Sequence, residues 1–97
     1  MEKYGLMGHL TAHRGKGREL AKILIEASNL MQKASGCYSY IVQLDKSNSD
    51  KVWVTEVWES KNHHDRSLQI AGVSDLIRKA MPLMREQPKR GTETLVL

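Results

Sequence analysis

The stretch between residues 56 and 68 holds the side chains best suited to chemistry. Glu56 and Trp58 alternate along a run of strand-forming residues, so both side chains lie on the same face of that strand. A carboxylate on a buried face is unfavourable by several kcal/mol unless it is paired or solvated. Glu56 is therefore either the partner in an ion pair or a functional acid. His64 follows in the first turns of a helix, and a histidine there can accept a proton at neutral pH.

The remaining histidines and the one cysteine do not complete a metal site. His63 and His64 are adjacent, so on a helix their side chains diverge by about 100°. His9 and His13 share a strand face, but they lie about 13 Å apart along it. Cys37 is the only cysteine, which excludes an intrachain disulfide and a cysteine-based zinc site. We therefore expect no metal and no metal ligands.

Alternating and helical hydrophobic patterns predict the elements that position these residues. Strands are predicted at residues 4–12, 37–45, 51–58 and 91–97. Helices are predicted at 17–34, from a cap at Ser60 to about Ile70, and from a cap at Ser74 until Pro82 ends or kinks it. The 97 residues are enough for one domain, spanning 1–97. The order β-α-β-β-α-β predicts an α+β, ferredoxin-like fold, with a four-stranded antiparallel sheet and its helices on one face.

The other face of this sheet needs a partner. Helices on one face leave the other open, yet strand 51–58 has bulky residues on both of its faces. Val52, Val54 and Trp58 lie on one side, and Trp53 and Val57 lie on the other. Because an exposed apolar surface of this size is typical of an interaction site, we expect two sheets to pack face to face in a homodimer.

Charge and composition exclude several classes of protein. The net charge is +4, and no block of like charges marks a nucleic-acid-binding tail. Neither a signal peptide nor an apolar run long enough to span a membrane is visible. With a single cysteine, these features predict a cytoplasmic protein with no nucleic-acid or membrane partner. The basic turn at residues 13–18 is a weak signal for an anion site.

Short motifs along the whole chain resemble one known family. They are Arg14-Gly15, Ser35-Gly36-Cys37-Tyr38, Glu56-Val57-Trp58-Glu59-Ser60, His64-Asp65-x-Ser67-Leu68 and Ala80-Met81-Pro82-Leu83. Together they resemble the antibiotic biosynthesis monooxygenase domain, and within it the small quinol monooxygenases. The resemblance implies the dimeric α/β-barrel form of the fold, with a pocket between sheet and helices in each subunit.

The resemblance also implies a monooxygenase that uses O2 without flavin, haem or metal, and therefore no cofactor. A deprotonated phenol or hydroquinone can give O2 one electron, so the protein needs to supply a base, a dry pocket and positioning. For a small aromatic substrate of this kind we expect His64 to be the catalytic base and Trp58 a catalytic pocket wall that stacks on the ring. The expected substrate-binding residues are Glu56, Ser67, Arg78 and Met81. In this set, Arg78 would hold a phenolate, Ser67 would orient His64 or the ligand, and Met81 would give a flexible lining.

Two departures from the family pattern bear on the activity. Haem-degrading members pair a first-strand Asn with a pocket Trp and a later His, and this chain has no such Asn and no His after Ser67. Haem degradation is therefore disfavoured. Monooxygenase members often have an Asn four residues before the Trp, where this chain has Val54. The alternative left open is a non-catalytic, small-molecule-binding module on the same dimeric barrel.

Overall fold

Four strands and three α-helices make up the computed structural model, which describes residues 2–89 and 91–97. The elements in chain order are β1 (Lys3–Thr11), α1 (Gly17–Met31), β2 (Cys37–Leu44), β3 (Lys51–Trp58), α2 (Lys61–Ser67), α3 (Val73–Ala80), a 3-10 turn (Met81–Leu83) and β4 (Thr92–Val96). The strands form one antiparallel sheet in the order β2-β3-β1-β4. The predicted ferredoxin-like α+β fold is confirmed.

The pairing of the strands assigns their side chains to two faces. The inner face, which the helices cover, contains the rows Leu6–Glu56–Tyr40 and Gly8–Val54–Val42. The outer face contains the rows Met7–Thr55–Ile41 and His9–Trp53–Gln43. β3, the strand with bulky residues on both faces, lies between β2 and β1 and is therefore internal to the sheet.

The core under the helices consists of two separate clusters. One contains Leu20 of α1 and Val52 at the start of β3. The other contains Met31 of α1 and Trp58 at the end of β3. Both clusters include fully buried side chains, and each is completed by residues of α3. The middle of β3 therefore faces the space between two packed regions.

The start of α1 is held by a carboxylate from a distant loop. The Oδ1 atom of Asp50 accepts hydrogen bonds from the backbone N–H groups of Gly15, at 3.0 Å, and Gly17, at 3.1 Å. A Cβ atom on Gly17 would lie 1.6 Å from the carbonyl oxygen of Ser49, so no larger residue fits there. The amides of the basic turn, which gave the weak anion-site signal, thus bind an anion from the chain itself.

Two of the predicted helix ends are confirmed. Ser60 precedes α2, and its side-chain oxygen accepts a hydrogen bond from the backbone N–H of His63, at 3.2 Å, as an N-cap residue does. Pro82 lies just after α3, within the 3-10 turn, because proline cannot continue an α-helix.

Three other predicted boundaries are wrong. The first helix ends at Met31 rather than residue 34, and α2 ends at Ser67 rather than Ile70. In both places the chain continues in tighter turns whose hydrogen bonds span three residues, as is common at helix ends. Ser74 does not cap α3, because Gly72, with φ at +94°, is the N-cap residue.

No helix within residues 2–89 and 91–97 combines the length and the apolar character needed to cross a bilayer.

Replacing Asp50 should destabilise the protein, because its carboxylate satisfies two amides at the start of α1. We expect Asp50→Ala to lower the free energy of unfolding by about 1–2 kcal/mol, measured by urea denaturation. Glu26→Ala, at an exposed position of the same helix, should change it by less than about 0.5 kcal/mol. Equal stability of the two variants would show that the amides of the turn do not depend on Asp50.

Candidate active site

The central feature of the site is a buried carboxylate on β3. Glu56 is 8% exposed and lies between Leu6 and Tyr40 in its row of the inner face. Its Oε1 atom accepts a hydrogen bond from the indole Nε1–H of Trp58, at 3.0 Å. Burial raises the pKa of Glu56, while the bond from Trp58 and the charge of His64 act in the opposite direction.

His64 of α2 lies beside this carboxylate. The cap at Ser60 starts α2 directly after β3, which places His64 over the end of that strand. The Nε2 atom of His64 is 3.7 Å from Oε1 of Glu56, which is too long for a hydrogen bond but within ion-pair distance when the imidazole is protonated. The edge of the imidazole packs on the ring of Trp58, with ring centroids 5.8 Å apart.

A cavity of about 380 Å³ opens beside this pair, between the sheet and the helices. Its apolar wall comes from Leu6, Leu10, Leu24, Val54 and Leu68. Glu56, His64 and Tyr40 supply polar groups on the inner side, and Lys89 belongs to the segment that returns to β4. A mostly apolar cavity of this size with a few converging polar groups is typical of a small-molecule site.

A close approach of two glycines forms part of the cavity lining. Gly8 lies opposite Val54 in the space between the two core clusters, and both Gly8 and Gly91 line the cavity. A Cβ atom on Gly8 would approach the Cα atom of Gly91 to 3.0 Å, so the close return of the chain to β1 disfavours a larger residue.

The outer face bears a second cavity, of about 450 Å³, beside His9 and Trp53. It is the larger of the two, but it contains neither Glu56 nor His64. We place the candidate site in the inner cavity, because there an imidazole and a buried carboxylate lie together.

Three of the residues singled out in the sequence are brought together by the fold. Glu56 and His64 both line the inner cavity, and Trp58 contacts both of them. Trp58, however, is completely buried and does not line the cavity. The expected stacking surface of the indole is therefore covered, and the indole lies one layer below the cavity as the hydrogen-bond donor to Glu56.

The other three lie elsewhere. The side chain of Arg78 is 77% exposed on α3 and pairs with Asp75, at 3.2 Å. Met81 lies at the surface in the 3-10 turn, and neither residue lines the inner cavity. Ser67 is buried, but its hydroxyl donates to the backbone carbonyl of His64 rather than to the imidazole.

Two contributors were not singled out in the sequence. Tyr40 lines the cavity, and burial, followed by the charge of Glu56, raises the pKa of its hydroxyl. The alternation of β2 could have indicated it, since Tyr40 falls on the same face as its partner Glu56. Asp65 contacts the imidazole of His64, and no spacing rule indicates a contact between neighbouring helix residues.

No metal site is evident in the part of the chain that the structure describes, since no three His, Cys, Asp or Glu side chains there form a possible ligand cluster.

A sequence profile of the antibiotic biosynthesis monooxygenase family matches residues 4–79. The match includes the strands and the helices whose residues line the inner cavity, and it leaves out the cavity residues of the segment 88–91. The chain therefore belongs to the antibiotic biosynthesis monooxygenase family. A search of curated proteins finds no significant match.

Solved structures agree with this assignment. A protein from Chloroflexus aurantiacus J-10-fl, provisionally named an antibiotic biosynthesis monooxygenase, is 35% identical and has a TM-score of 0.86, over 98% of this chain and 93% of that chain. A variant of SnoaB from Streptomyces nogalater, a cofactor-independent oxygenase, is 14% identical with a TM-score of 0.73, over 99% and 91% of the two chains. A conserved protein from Methanosarcina mazei Go1 is 13% identical with a TM-score of 0.81, over 98% and 91%. The last two show a common fold alone.

Substituting Glu56 should change how stability depends on pH. A carboxyl whose pKa is raised by folding favours the folded state below its unfolded pKa of about 4.3. That contribution is lost as the pH rises through the folded pKa. We expect Glu56→Gln, whose amide oxygen still accepts from Trp58, to gain stability relative to the native chain as the pH rises from about 4 to 8.

Urea denaturation over that pH range measures this difference. Glu26→Gln, on the exposed face of α1, is the matched control, and its difference from the native chain should not grow with pH. If the difference between Glu56→Gln and the native chain is also constant with pH, burial does not raise the pKa of Glu56.

Proposed function

We propose that the protein is a cofactor-independent monooxygenase that oxidises a small phenol or hydroquinone with O2 in the inner cavity. The observation that carries the proposal is the imidazole of His64 beside the buried carboxylate of Glu56, on the wall of an apolar cavity. Membership of the antibiotic biosynthesis monooxygenase family supports the reaction class. The aromatic substrate is inferred from the base and the apolar wall, because an electron-rich phenolate in such a cavity can react with O2 directly.

The proposed reaction begins with proton transfer. Nε2 of His64 takes the hydroxyl proton of the phenol, and the electron-rich phenolate gives one electron to O2. The resulting phenoxyl radical and superoxide combine to form a carbon–oxygen bond at the para carbon, and the protonated His64 returns the proton to the distal peroxide oxygen. Loss of the para hydrogen then breaks the O–O bond and releases water. A phenol and O2 give a quinone and water, with one oxygen atom in each product.

The other groups of the cavity fit this reaction. Glu56 lies 3.7 Å from the same nitrogen, where its carboxylate can pair with the imidazolium that forms in the first step. The apolar wall excludes water, which would otherwise quench the radical pair or the peroxide. Apolar cavities of about 150 Å³ bind benzene. The 380 Å³ here therefore have room for two fused rings.

We further propose that the outer face of the sheet packs on a second copy of the chain. Met7 and Ile41 flank Thr55 in one row of this face, and they are 45% and 48% exposed. Trp53 and Val57 of β3 lie on the same face. The apolar side chains of this face come from three strands, and a second copy presents a matching surface for sheet-on-sheet packing.

Oxygen uptake with 1-naphthol as the probe tests the proposed activity. We expect metal-stripped protein to consume O2 above the rate of a denatured blank and to form naphthoquinone that carries one atom from isotopically labelled O2. His64→Gln should lower kcat by about 10²–10⁴-fold, as loss of a general base does. His13→Gln, in an exposed turn, is the control and should keep the native rate.

The outcomes separate the two candidate functions. Uptake at the blank rate, together with a rise in melting temperature on adding 1-naphthol, would favour the non-catalytic binding module. Full activity in His64→Gln would show that another group is the base.

Sedimentation velocity tests the proposed dimer. We expect a particle of twice the 11.0 kDa chain mass at micromolar concentration, because the apolar row would otherwise face water. Ile41→Glu should convert it to a monomer, since a charge at the centre of the face cannot be buried without a partner. Ile25→Glu is the matched control, because Ile25 is 50% exposed but lies on α1. A monomeric native chain would contradict the proposal.

A further inference from the structure

The imidazole of His64 contacts side chains of β1, of β3 and of its own helix, α2. Tyr4 of β1 packs on one side, with ring centroids 6.0 Å apart, and Trp58 of β3 packs on another. Nε2 faces Glu56 of β3, and Nδ1 lies 2.9 Å from Oδ1 of Asp65 in α2. The side chain of His64 is only 12% exposed, so water replaces few of these contacts.

The contact with Asp65 determines which nitrogen bears the hydrogen. A neutral imidazole has one N–H group and one nitrogen with a free lone pair. An ionised carboxylate only accepts hydrogen bonds, so a 2.9 Å contact is a hydrogen bond when Nδ1 of His64 bears the hydrogen. In that tautomer the lone pair lies on Nε2, the nitrogen beside Glu56.

We propose that Asp65 is a positioning residue that holds His64 as the Nδ1–H tautomer, so that Nε2 is the base that faces Glu56. This inference rests on the proposed function for its catalytic meaning, but the tautomer itself does not require any activity. The opposite tautomer would place a hydrogen on Nε2, and His64 could then not accept a proton from a substrate there. A carboxylate that binds one ring nitrogen of a histidine fixes the tautomer and the orientation of the ring, so that the other nitrogen can act as the base.

The helix itself does not favour this contact. Neighbouring residues on a helix point in directions about 100° apart, so their side chains do not meet unless both turn toward each other. Asp65 lies near the carboxyl end of α2, where a negative charge is unfavourable to the helix dipole, and it is 46% exposed. Asp65→Ala keeps the backbone hydrogen bonds of α2, and alanine favours a helix, so the variant should fold.

The ring nitrogens of uniformly 15N-labelled protein report the tautomer directly by NMR. At about pH 9, above the ordinary range for imidazole, we expect His64 to show a protonated Nδ1 and an unprotonated Nε2. His64→Gln identifies these signals among those of the four histidines. Asp65→Ala should shift His64 toward the Nε2–H tautomer, whereas Asp65→Asn should keep the native tautomer because its amide oxygen still accepts from Nδ1.

Asp75→Ala is the matched control, since Asp75 is an exposed carboxylate on the neighbouring helix that pairs with Arg78. It should leave the signals of His64 unchanged. An Nε2–H tautomer in the native protein, or an unchanged tautomer in Asp65→Ala, would overturn the inference.

Oxygen uptake with 1-naphthol separates this inference from the proposed function. If both hold, Asp65→Ala should lower kcat by about 10- to 100-fold with little change in KM, and Asp65→Asn should recover part of the loss. The expected tautomers without uptake in any variant would support the role of Asp65 and refute the monooxygenase. Uptake that is equal in the native protein and Asp65→Ala would refute the positioning role.

Discussion

The site depends on the burial of one carboxylate in the middle of a sheet. Glu56 occupies an inner-face position that an apolar residue would fill more favourably, and its charge requires partners. Trp58 supplies a hydrogen-bond donor two residues along the same strand, and His64 supplies an ionisable neighbour from α2. The N–H of the indole is buried together with the carboxylate that it satisfies, and the ring packs in the cluster with Met31 and Val73.

The hollow beside this carboxylate comes from the way the core is divided. Val52 and Trp58 anchor separate clusters at the two ends of β3, and each cluster is closed by α1 and α3. Val54 and Glu56 lie between them, and Val54 is opposite Gly8, which has no side chain. Unfilled core volume lowers stability, so a chain of this size keeps such a cavity only at some expense to its fold.

Local patterns predicted the parts of the site that lie within one element. Alternation along β3 placed Glu56 and Trp58 on one face, and the cap at Ser60 placed His64 near the end of that strand. The positions of Arg78 and Met81 depend on how α3 packs against α1, which no spacing along the chain reveals. For the same reason the sequence did not show that the indole is covered, or that Gly8 lines the cavity.

The two adjacent histidines of α2 have different roles. His63 fixes the start of the helix, and His64 faces the cavity. Nδ1 of His63 lies 2.7 Å from the hydroxyl oxygen of Ser60, and its ring packs on Gly36, where a Cβ atom would come within 2.4 Å. The carbonyl of Gly36 also accepts a hydrogen bond from the backbone N–H of Glu59, at 2.7 Å. These contacts join the start of α2 to the entry of β2. Because the neighbouring ring, His64, points elsewhere on the helix, the first histidine can anchor the helix while the second faces the cavity.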